Sequence, residues 1–310
     1  MSRALVFPGQ GAQTIGMGKA LAEAYPAARS VFEEVDEALG QKLSALIWEG
    51  EQGELTLTEN AQPALMATSL AALRALEAEG MALSDAAYVA GHSLGEYSAL
   101  AAAGALSIAD TARLLRIRGR AMQEAVPVGE GAMAALLGLD FATVDEIAKE
   151  AAGEQVCQAA NDNDPGQVVI SGHKGAVERA IELAKERGAR RAVLLPVSAP
   201  FHCALMAPAG AVMAEALADV EMRVPAVPLV ANIRAEAVSD PDEIRALLVE
   251  QVTGVVRWRE SVAWMAAQGV DEIWEVGAGK ALSGMIRRIE RAIACRQIGT
   301  PEDVAAAMGG

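Results

Sequence analysis

The sequence predicts an α/β protein in which a mainly parallel sheet carries an inserted ferredoxin-like subdomain. Toward both ends of the chain, short apolar runs alternate with helical patterns, as in sheets covered by helices. Residues 130–195 instead follow a β-α-β-β-α-β order, which is the order of a ferredoxin-like unit. Hydrophobic residues make up 52% of the 310 residues, which is enough for a sizeable core.

The first part of the chain contains two apolar strands and four helical patterns. Residues 4–7 are predicted to form a buried strand, and a second apolar run covers residues 86–90. Helices are predicted at about 26–40, at 60–79, from 94 onward and at 107–125. Ser107 followed by Asp110 is a capping-box signal for the last helix, and Pro127 ends it.

The middle and the end of the chain define the predicted domains. The inserted unit reads as strand 131–139, helix 141–152, strands 155–160 and 167–171, helix 174–187 and strand 191–195. The α/β pattern then resumes with helix 204–218, strand 228–231, helices 240–250 and 257–268, strand 271–276, helix 279–290 and strand 293–298. We therefore predict a catalytic core from residues 1–127 and 199–310, and a ferredoxin-like subdomain from residues 128–198.

Charge and composition exclude several classes of function. The net charge of −15 repels phosphate backbones and argues against nucleic-acid binding. The uncharged stretch 97–109 is shorter than a membrane span of roughly 20 residues, and the N-terminal apolar run is too short for a signal peptide. Three scattered cysteines lack metal-ligand spacing, so reduced thiols are expected. The prediction is a cytoplasmic protein that contacts neither membranes nor nucleic acids.

Residues 91–95 match the G-x-S-x-G pattern of a nucleophile elbow. An apolar strand precedes this pattern and a helical pattern follows it, as the elbow requires. Glycines keep the turn tight, and Ser93 falls at a helix N-terminus, where free N–H groups favour a developing oxyanion. A plain tight turn is the alternative interpretation of the same five residues.

A serine nucleophile needs a base, and the chain has three histidines. His92 directly precedes the serine and is expected to pack away from it. His173 follows a strand of the inserted unit, where an exposed position is expected. His202 lies in a loop between a strand and a helix and is the predicted base, with a structural histidine as the alternative. Cys203 beside it is the alternative nucleophile.

Arg118 occupies an unusual place on the predicted helix 107–125. At about 100° per residue, Arg118 falls opposite the other arginines of this helix, on its apolar face. Those other arginines are Arg113, Arg116 and Arg120. A guanidinium on an apolar face needs an anionic partner or many hydrogen bonds. That partner is either a carboxylate of the protein or a carboxylate of the substrate.

Four separated motifs give the chain a family resemblance. They are residues 7–13 (FPGQGAQ), 91–96 (GHSLGE), 118–120 (RGR) and 200–202 (PFH). In this order along essentially the whole chain, they resemble the malonyl-CoA:acyl carrier protein transacylases of fatty acid synthesis. The resemblance implies a hydrolase-like α/β core with a ferredoxin-like subdomain, which agrees with the element order above.

The resemblance also implies roles for individual residues. Ser93 would be acylated by malonate, and His202 would be its general base. The backbone carbonyl of Gln251 would orient His202, so that the family works without a triad aspartate. Backbone N–H groups of Gln10 and Leu94 would form the oxyanion hole.

Further residues are implied to contact the substrate. Arg118 would bind the malonyl carboxylate, and Asn161 and Asn163 resemble the small-domain segment that lines the family's cleft. Leu94 after the serine, and Phe201 before His202, resemble malonyl-selective rather than methylmalonyl-selective members.

The implied substrates are malonyl-CoA and the phosphopantetheine thiol of an acyl carrier protein, with no metal or redox cofactor. Carrier proteins are acidic, so docking is expected at a basic patch. One candidate patch comprises Lys185, Arg187, Arg190 and Arg191, and a second comprises Arg287, Arg288 and Arg291. Alternatives are another acyl-CoA, a polyketide or malonate-decarboxylase pathway, a serine hydrolase such as a thioesterase, or a non-catalytic acyl-CoA-binding subunit.

Overall fold

A six-stranded sheet forms the larger part of the protein. The computed structural model describes residues 2–309. The strands of the sheet are β1 (Arg3–Phe7), β2 (Ala86–Gly91), β7 (Leu229–Val230), β8 (Ala237–Val238), β9 (Glu272–Val276) and β10 (Ala294–Ile298). Their order is β10-β9-β1-β2-β7-β8, and every neighbouring pair is parallel except β7 with β8. This arrangement confirms the predicted fold class.

Helices cover both faces of this sheet. In chain order they are α1 (Lys19–Ala24), α2 (Pro26–Leu39), α3 (Leu43–Glu49), α4 (Gln52–Thr56), α5 (Thr58–Ala78), α6 (Gly95–Ala102), α7 (Ile108–Glu124), α10 (Ala207–Ala218), α11 (Pro241–Gln251), α12 (Trp258–Ala267), α13 (Ala281–Ile289) and α14 (Pro301–Met308). Helix α5 is buried on nearly all sides, because it is rich in alanine and packs between α2 and α7. Short 3₁₀ turns precede β2 and α10.

Residues 131–194 form a second, antiparallel sheet with two helices. Its elements are β3 (Gly131–Leu137), α8 (Phe141–Ala152), β4 (Cys157–Asp164), β5 (Gln167–His173), α9 (Lys174–Glu186) and β6 (Arg191–Leu194). The strand order β4-β5-β3-β6 is that of a ferredoxin-like unit. The domain limits at residues 127–128 and 198–199 stay a prediction.

The small sheet separates two hydrophobic cores because its side chains alternate between the two faces. Ala134, Leu136 and Ile170 point toward α8 and α9 and belong to the small unit's own core. Met133 and Val169 point the other way and belong to the main core. One face of the small sheet therefore lies over the larger unit, and the space between them is where the site described below is found.

Several short elements differ from the sequence-based prediction. Helices α1, α3, α4 and α14 and strand β8 were not predicted, because segments of 2 to 8 residues carry too little periodicity. Strand β4 runs to Asp164 instead of ending at residue 160, and two irregularities in its pairing with β5 let it continue past the expected end. Among the helices of residues 2–309, none is both long and apolar enough to cross a membrane.

Candidate active site

The turn between β2 and α6 holds Ser93 in a conformation that non-glycine residues rarely adopt. Its φ is 54°, a left-handed value found mainly where the surrounding structure enforces it. A Cβ on Gly91 would lie 1.9 Å from the carbonyl carbon of Gly95, and a Cβ on Gly95 would lie 2.2 Å from the carbonyl oxygen of Phe7. Both glycines of the pattern are therefore required by close backbone contacts.

Asn232, which follows β7, fixes this turn from outside the motif. The backbone N–H of Ser93 donates to Oδ1 of Asn232 at 2.8 Å, and Nδ2 of Asn232 donates to the carbonyl of Gly91 at 2.7 Å. The side chain is completely buried. One amide thus bridges the end of the strand and the serine, and the nucleophile's own N–H points away from the cavity.

His202 lies against the serine side chain. Ser93 Oγ donates to Nε2 of His202 at 2.8 Å, and Nδ1 of His202 donates to the backbone carbonyl of Gln251 at 2.9 Å. A carbonyl can only accept, so the proton sits on Nδ1 and the lone pair of Nε2 faces the serine. Burial, together with the positive charge of Arg118, lowers the pKa of His202 to about 3. The imidazole is therefore neutral and ready to accept a proton.

Two backbone N–H groups lie beside the serine without acceptors. They belong to Leu94, which precedes α6, and to Gln10, in the loop after β1. Within residues 2–309, neither N–H donates an intramolecular hydrogen bond, and both residues line the same cavity as Ser93. Free N–H groups in this position suit a developing oxyanion.

Arg118 on α7 is buried with only 1% of its surface exposed. Its Nη1 donates to Oε1 of Gln62 at 2.8 Å, and its Nη2 donates to Oε1 of Gln251 at 2.9 Å and to Oγ of Ser93 at 3.1 Å. Its Nε–H has no partner among the described residues, and no carboxylate forms an ion pair with it there. Arg118 is thus a buried cation with unused donors beside the nucleophile.

Gln251 connects these groups from the end of α11. Its backbone carbonyl accepts from His202, and its Oε1 accepts from Arg118. Its Nε2 donates to the backbone carbonyl of Ser93 at 3.0 Å and to the carboxylate of Glu96. The role of the Gln251 carbonyl was predicted, but that of its side chain was not, and the side chain contacts more of the site than the carbonyl does.

Most of the predicted residues line one cavity of about 380 Å³, but Gln251 and Asn163 are not among its lining residues. Its polar wall includes Gln10, Gln62, His92, Ser93, Arg118, Asn161 and His202. Its apolar wall is formed by Leu94, Met122, Met133, Leu195, Val197 and Phe201. Residues from both units line it, and the serine lies beyond the carboxyl ends of β1 and β2, where open α/β sheets bind their ligands.

Asn161 and Asn163 differ in their surroundings. Asn161 lines the cavity, but Asn163 does not, and its Oδ1 instead accepts from Nε2 of His92 at 2.8 Å. The irregular pairing of β4 on both sides of these residues changes which side chains reach the cleft. His92 packs against Trp258, but it also lines the cavity that holds Ser93, so it does not lie wholly away from the site as expected.

The remaining candidates lie outside this constellation. Nδ1 of His173 accepts the backbone N–H of Val156 at 2.9 Å, so this histidine has a local structural contact. Cys203 is fully buried, its thiol donates to the carbonyl of Pro200, and burial raises its pKa, which disfavours a thiolate nucleophile. Arg116 is also largely buried, although the helical pattern had placed it on the exposed side.

The fold and the site together define a serine-dependent acyl-transferring enzyme. A family model for the acyl transferase domain matches residues 4–295. The malonyl CoA-acyl carrier protein transacylase of Escherichia coli strain K12 is 48% identical over 305 residues, which span 98% of each chain. The chain belongs to this acyl transferase family, and the resemblance predicted from its motifs is confirmed.

Solved structures of relatives agree over the whole chain. The acyl-carrier-protein-S-malonyltransferase of Bartonella henselae matches with a TM-score of 0.97 at 57% identity, and each chain is covered to 100%. A malonyl-transacylase solved in complex with a type II PKS acyl-carrier protein matches with a TM-score of 0.97 at 41% identity, covering 100% of this chain and 99% of the other.

Proposed function

We propose that the protein transfers a malonyl group from malonyl-CoA to the phosphopantetheine thiol of an acyl carrier protein, through a malonyl ester on Ser93. The observation that carries this proposal is the double contact of Ser93 Oγ, 2.8 Å from Nε2 of His202 and 3.1 Å from Nη2 of Arg118. A base and a buried cation thus contact the same nucleophile. The product, a malonyl group on the carrier protein, would supply cytoplasmic fatty acid elongation.

The first half-reaction forms the ester. Nε2 of His202 takes the proton of Ser93 as Oγ attacks the thioester carbonyl carbon. The carbonyl oxygen becomes an oxyanion and receives hydrogen bonds from the N–H groups of Leu94 and Gln10. The C–S bond then breaks, and His202 returns its proton to the sulfur of CoA. The serine is left as a malonyl ester and the histidine is again neutral.

The second half-reaction reverses these steps with a new thiol. His202 accepts the proton of the phosphopantetheine thiol as its sulfur attacks the ester carbonyl. The C–O bond to Ser93 breaks, and His202 returns the proton to Oγ. No oxidation state changes in either half-reaction, so the proposed chemistry requires no redox cofactor, and the proton balance closes without a metal.

Arg118 supplies the selectivity for a carboxylated acyl group. A malonyl group on Ser93 carries its carboxylate a few bonds from the ester, within reach of the guanidinium that contacts Oγ. The guanidinium fork can give a carboxylate two parallel hydrogen bonds. An acetyl group would leave the buried cation without this partner, and sites of this kind reject such analogues strongly.

We propose that the carrier protein docks where the two predicted basic patches meet at Arg190 and Arg288, which we call the joined basic surface. Arg190 and Arg288, from the two predicted patches, line one depression of about 410 Å³. Lys185 and Arg187 pair with glutamates of the small unit, and Arg288 pairs with Asp164 at 2.7 Å. Arg190, Arg287 and Arg291 form no ion pair among the described residues. The free arginines leave positive charge for an acidic partner.

The release of CoA tests the proposed reaction. With malonyl-CoA alone, the enzyme should release one CoA per Ser93 in a burst and then stop. Adding holo carrier protein should restart turnover, while apo carrier protein, which lacks the thiol, should not. Steady CoA release without any thiol would instead identify a hydrolase, and the absence of a burst would leave only a binding function.

A further inference from the structure

Glu96 is a buried carboxylate that the reaction above does not use. It lies three residues after the nucleophile on α6 and is 1% exposed. One oxygen accepts the backbone N–H of Asn232 at 3.3 Å, and the other accepts from Nε2 of Gln251. A buried carboxylate is costly without a cation, so its electrostatic partner needs to be identified.

That partner is Arg118, connected to Glu96 through one side-chain amide. Arginine only donates hydrogen bonds, so Gln251 must turn its Oε1 toward Arg118. Its Nε2 then faces Glu96 and the carbonyl of Ser93, both of which accept. The direction of the hydrogen-bond chain from Arg118 through Gln251 to Glu96 is therefore fixed by chemistry.

Few other charged groups are close enough to take part. Tyr97 on the same helix is a buried phenol whose pKa is raised to about 12 by burial, so it is neutral. His202 is neutral as well, for the reasons given above. In the described part of the chain, Arg118 and Glu96 thus form a buried cation and anion around the nucleophile. A malonyl carboxylate bound to Arg118 would be a second anion for the same cation.

We propose that Glu96 is the counter-charge of Arg118 in the free enzyme, and that it takes up one proton from solvent when a malonyl carboxylate occupies Arg118. The site then exchanges one anion for another and keeps its net charge. Glu96 acts through Gln251 and Arg118 and does not touch the reacting atoms, so it is a positioning residue that tunes malonyl recognition. This inference rests on the proposed function.

The electrostatics of Glu96 fit such an exchange. Burial raises its pKa to about 7, against the opposing effect of Gln251, Asn232 and the charge of Arg118. Engaging Arg118 with a second carboxylate removes part of that opposing effect, so the pKa of Glu96 rises further. Below this pKa Glu96 is already protonated and malonyl binding needs no proton. Above it, each binding event draws one proton from solvent.

Proton uptake during acylation is the direct test. The purified enzyme is mixed with malonyl-CoA in weak buffer with an indicator dye, while intact-mass analysis counts acylated Ser93. The CoA thiol released at about pH 8 gives up a fraction of a proton in wild type and variant alike, so uptake is counted as the difference from Glu96→Gln. By that difference, wild type should take up close to one proton per acylated serine at about pH 8, and about a tenth of that at about pH 6. Glu96→Gln keeps an acceptor for Gln251 and should form the same ester without this uptake. Glu275→Gln, at a buried carboxylate on β9 that bonds the start of α13, should behave as wild type.

The wild-type enzyme alone provides a second test that no folding defect can obscure. Its kcat/KM for malonyl-CoA should fall about fivefold between pH 7 and pH 8. Its kcat/KM for acetyl-CoA should not fall in this range, because the acetyl group carries no charge. Equal proton uptake in wild type and Glu96→Gln, or parallel pH profiles for the two substrates, would overturn the inference. If no acyl ester forms at all, the proposed function has failed, and that outcome is read separately from the same mass spectra.

Discussion

Nη2 of Arg118 lies 3.1 Å from Oγ of Ser93, so the buried cation contacts the nucleophile directly. The cation is therefore placed to recognise whatever acyl group the serine carries. The same contact brings positive charge close to His202, which lowers the pKa of that base.

Removing this cation should change acyl selectivity. Arg118→Ala should lose kcat/KM for malonyl-CoA by an amount equivalent to about 2–5 kcal/mol, as for truncation of one partner of a buried charge pair. Transfer of acetyl should be retained or improved, because Ser93, His202 and the N–H donors remain. Arg118→Lys keeps the charge but not the fork and should fall between the two. If malonyl and acetyl transfer fall in parallel, Arg118 has a structural role only.

The acylation rate should not show the acidic decrease (the acidic limb of the pH profile) that an ordinary histidine base causes near pH 6.5. An unperturbed histidine would lose its base function near pH 6.5. The structure lowers the pKa of His202 to about 3, so the neutral base persists through mildly acidic pH. Acetyl transfer does not involve the proposed protonation of Glu96, so its rate should stay level between about pH 5 and pH 7. A limb centred near pH 6.5 would contradict this environment for His202.

A variant of Arg118 should move that limb. Because the guanidinium is the second cause of the low pKa, after burial, Arg118→Met should raise the pKa of His202. The acidic limb of acetyl transfer should then appear at higher pH than in wild type. His202→Ala should lose the limb together with about 10²–10⁴ of the rate. Identical acidic limbs in wild type and Arg118→Met would show that the guanidinium does not act on the histidine.

Asn232 should be required for the shape of the elbow. Asn232→Ala removes the acceptor of the Ser93 N–H and the donor to the Gly91 carbonyl. Leaving such buried groups unsatisfied costs about 1–3 kcal/mol of stability each. The folded variant should also acylate more slowly, because the strained turn at Ser93 is no longer fixed. Denaturant unfolding measures the loss of stability, and single-turnover kinetics measure the acylation rate. An unchanged acylation rate would show that Asn232 contributes only to the stability of the protein.

Docking of the carrier protein should depend on the joined basic surface. Arg190→Glu and Arg287→Glu should each raise KM for the carrier protein and weaken its salt dependence, with the malonyl-CoA kinetics unchanged. Arg113→Glu, an exposed arginine on α7 that pairs with Asp110, is the matched control and should have little effect. If the control and the surface variants behave alike, the carrier protein docks elsewhere.

The parts of the site that follow from local sequence were predictable. The G-x-S-x-G pattern is a local sequence motif, although distant residues such as Phe7 also contact the turn, and the burial of Arg118 follows from its angle on a single helix. The strand and helix order predicted the fold class because long apolar or periodic segments dominate it. The family resemblance pointed to both Asn161 and Asn163, but β4 is irregular here, and no periodic pattern reveals which of the two side chains lines the cavity.

The polar chain beneath the nucleophile could not have been predicted in this way. Glu96 lies more than a hundred residues before both Asn232 and Gln251 in the sequence. Each is a common polar residue that a helix or loop tolerates on the surface. They are buried together only where the start of α6, the last residue of α11 and the end of β7 meet. Only the family resemblance pointed to Gln251, through its backbone carbonyl, and no local pattern of the sequence indicates that these three side chains meet.

Acylation of Ser93 is the step on which the proposed function depends most directly. The protein is incubated with malonyl-CoA, digested at mildly acidic pH and examined by mass spectrometry, with Ser93→Ala as the control. We expect one malonyl group on the peptide that contains Ser93 and none on the variant, and holo carrier protein should remove the label and carry it on its own thiol. A malonyl group on Cys203, or a Ser93 peptide that stays unmodified while malonyl-CoA is consumed, would contradict the mechanism.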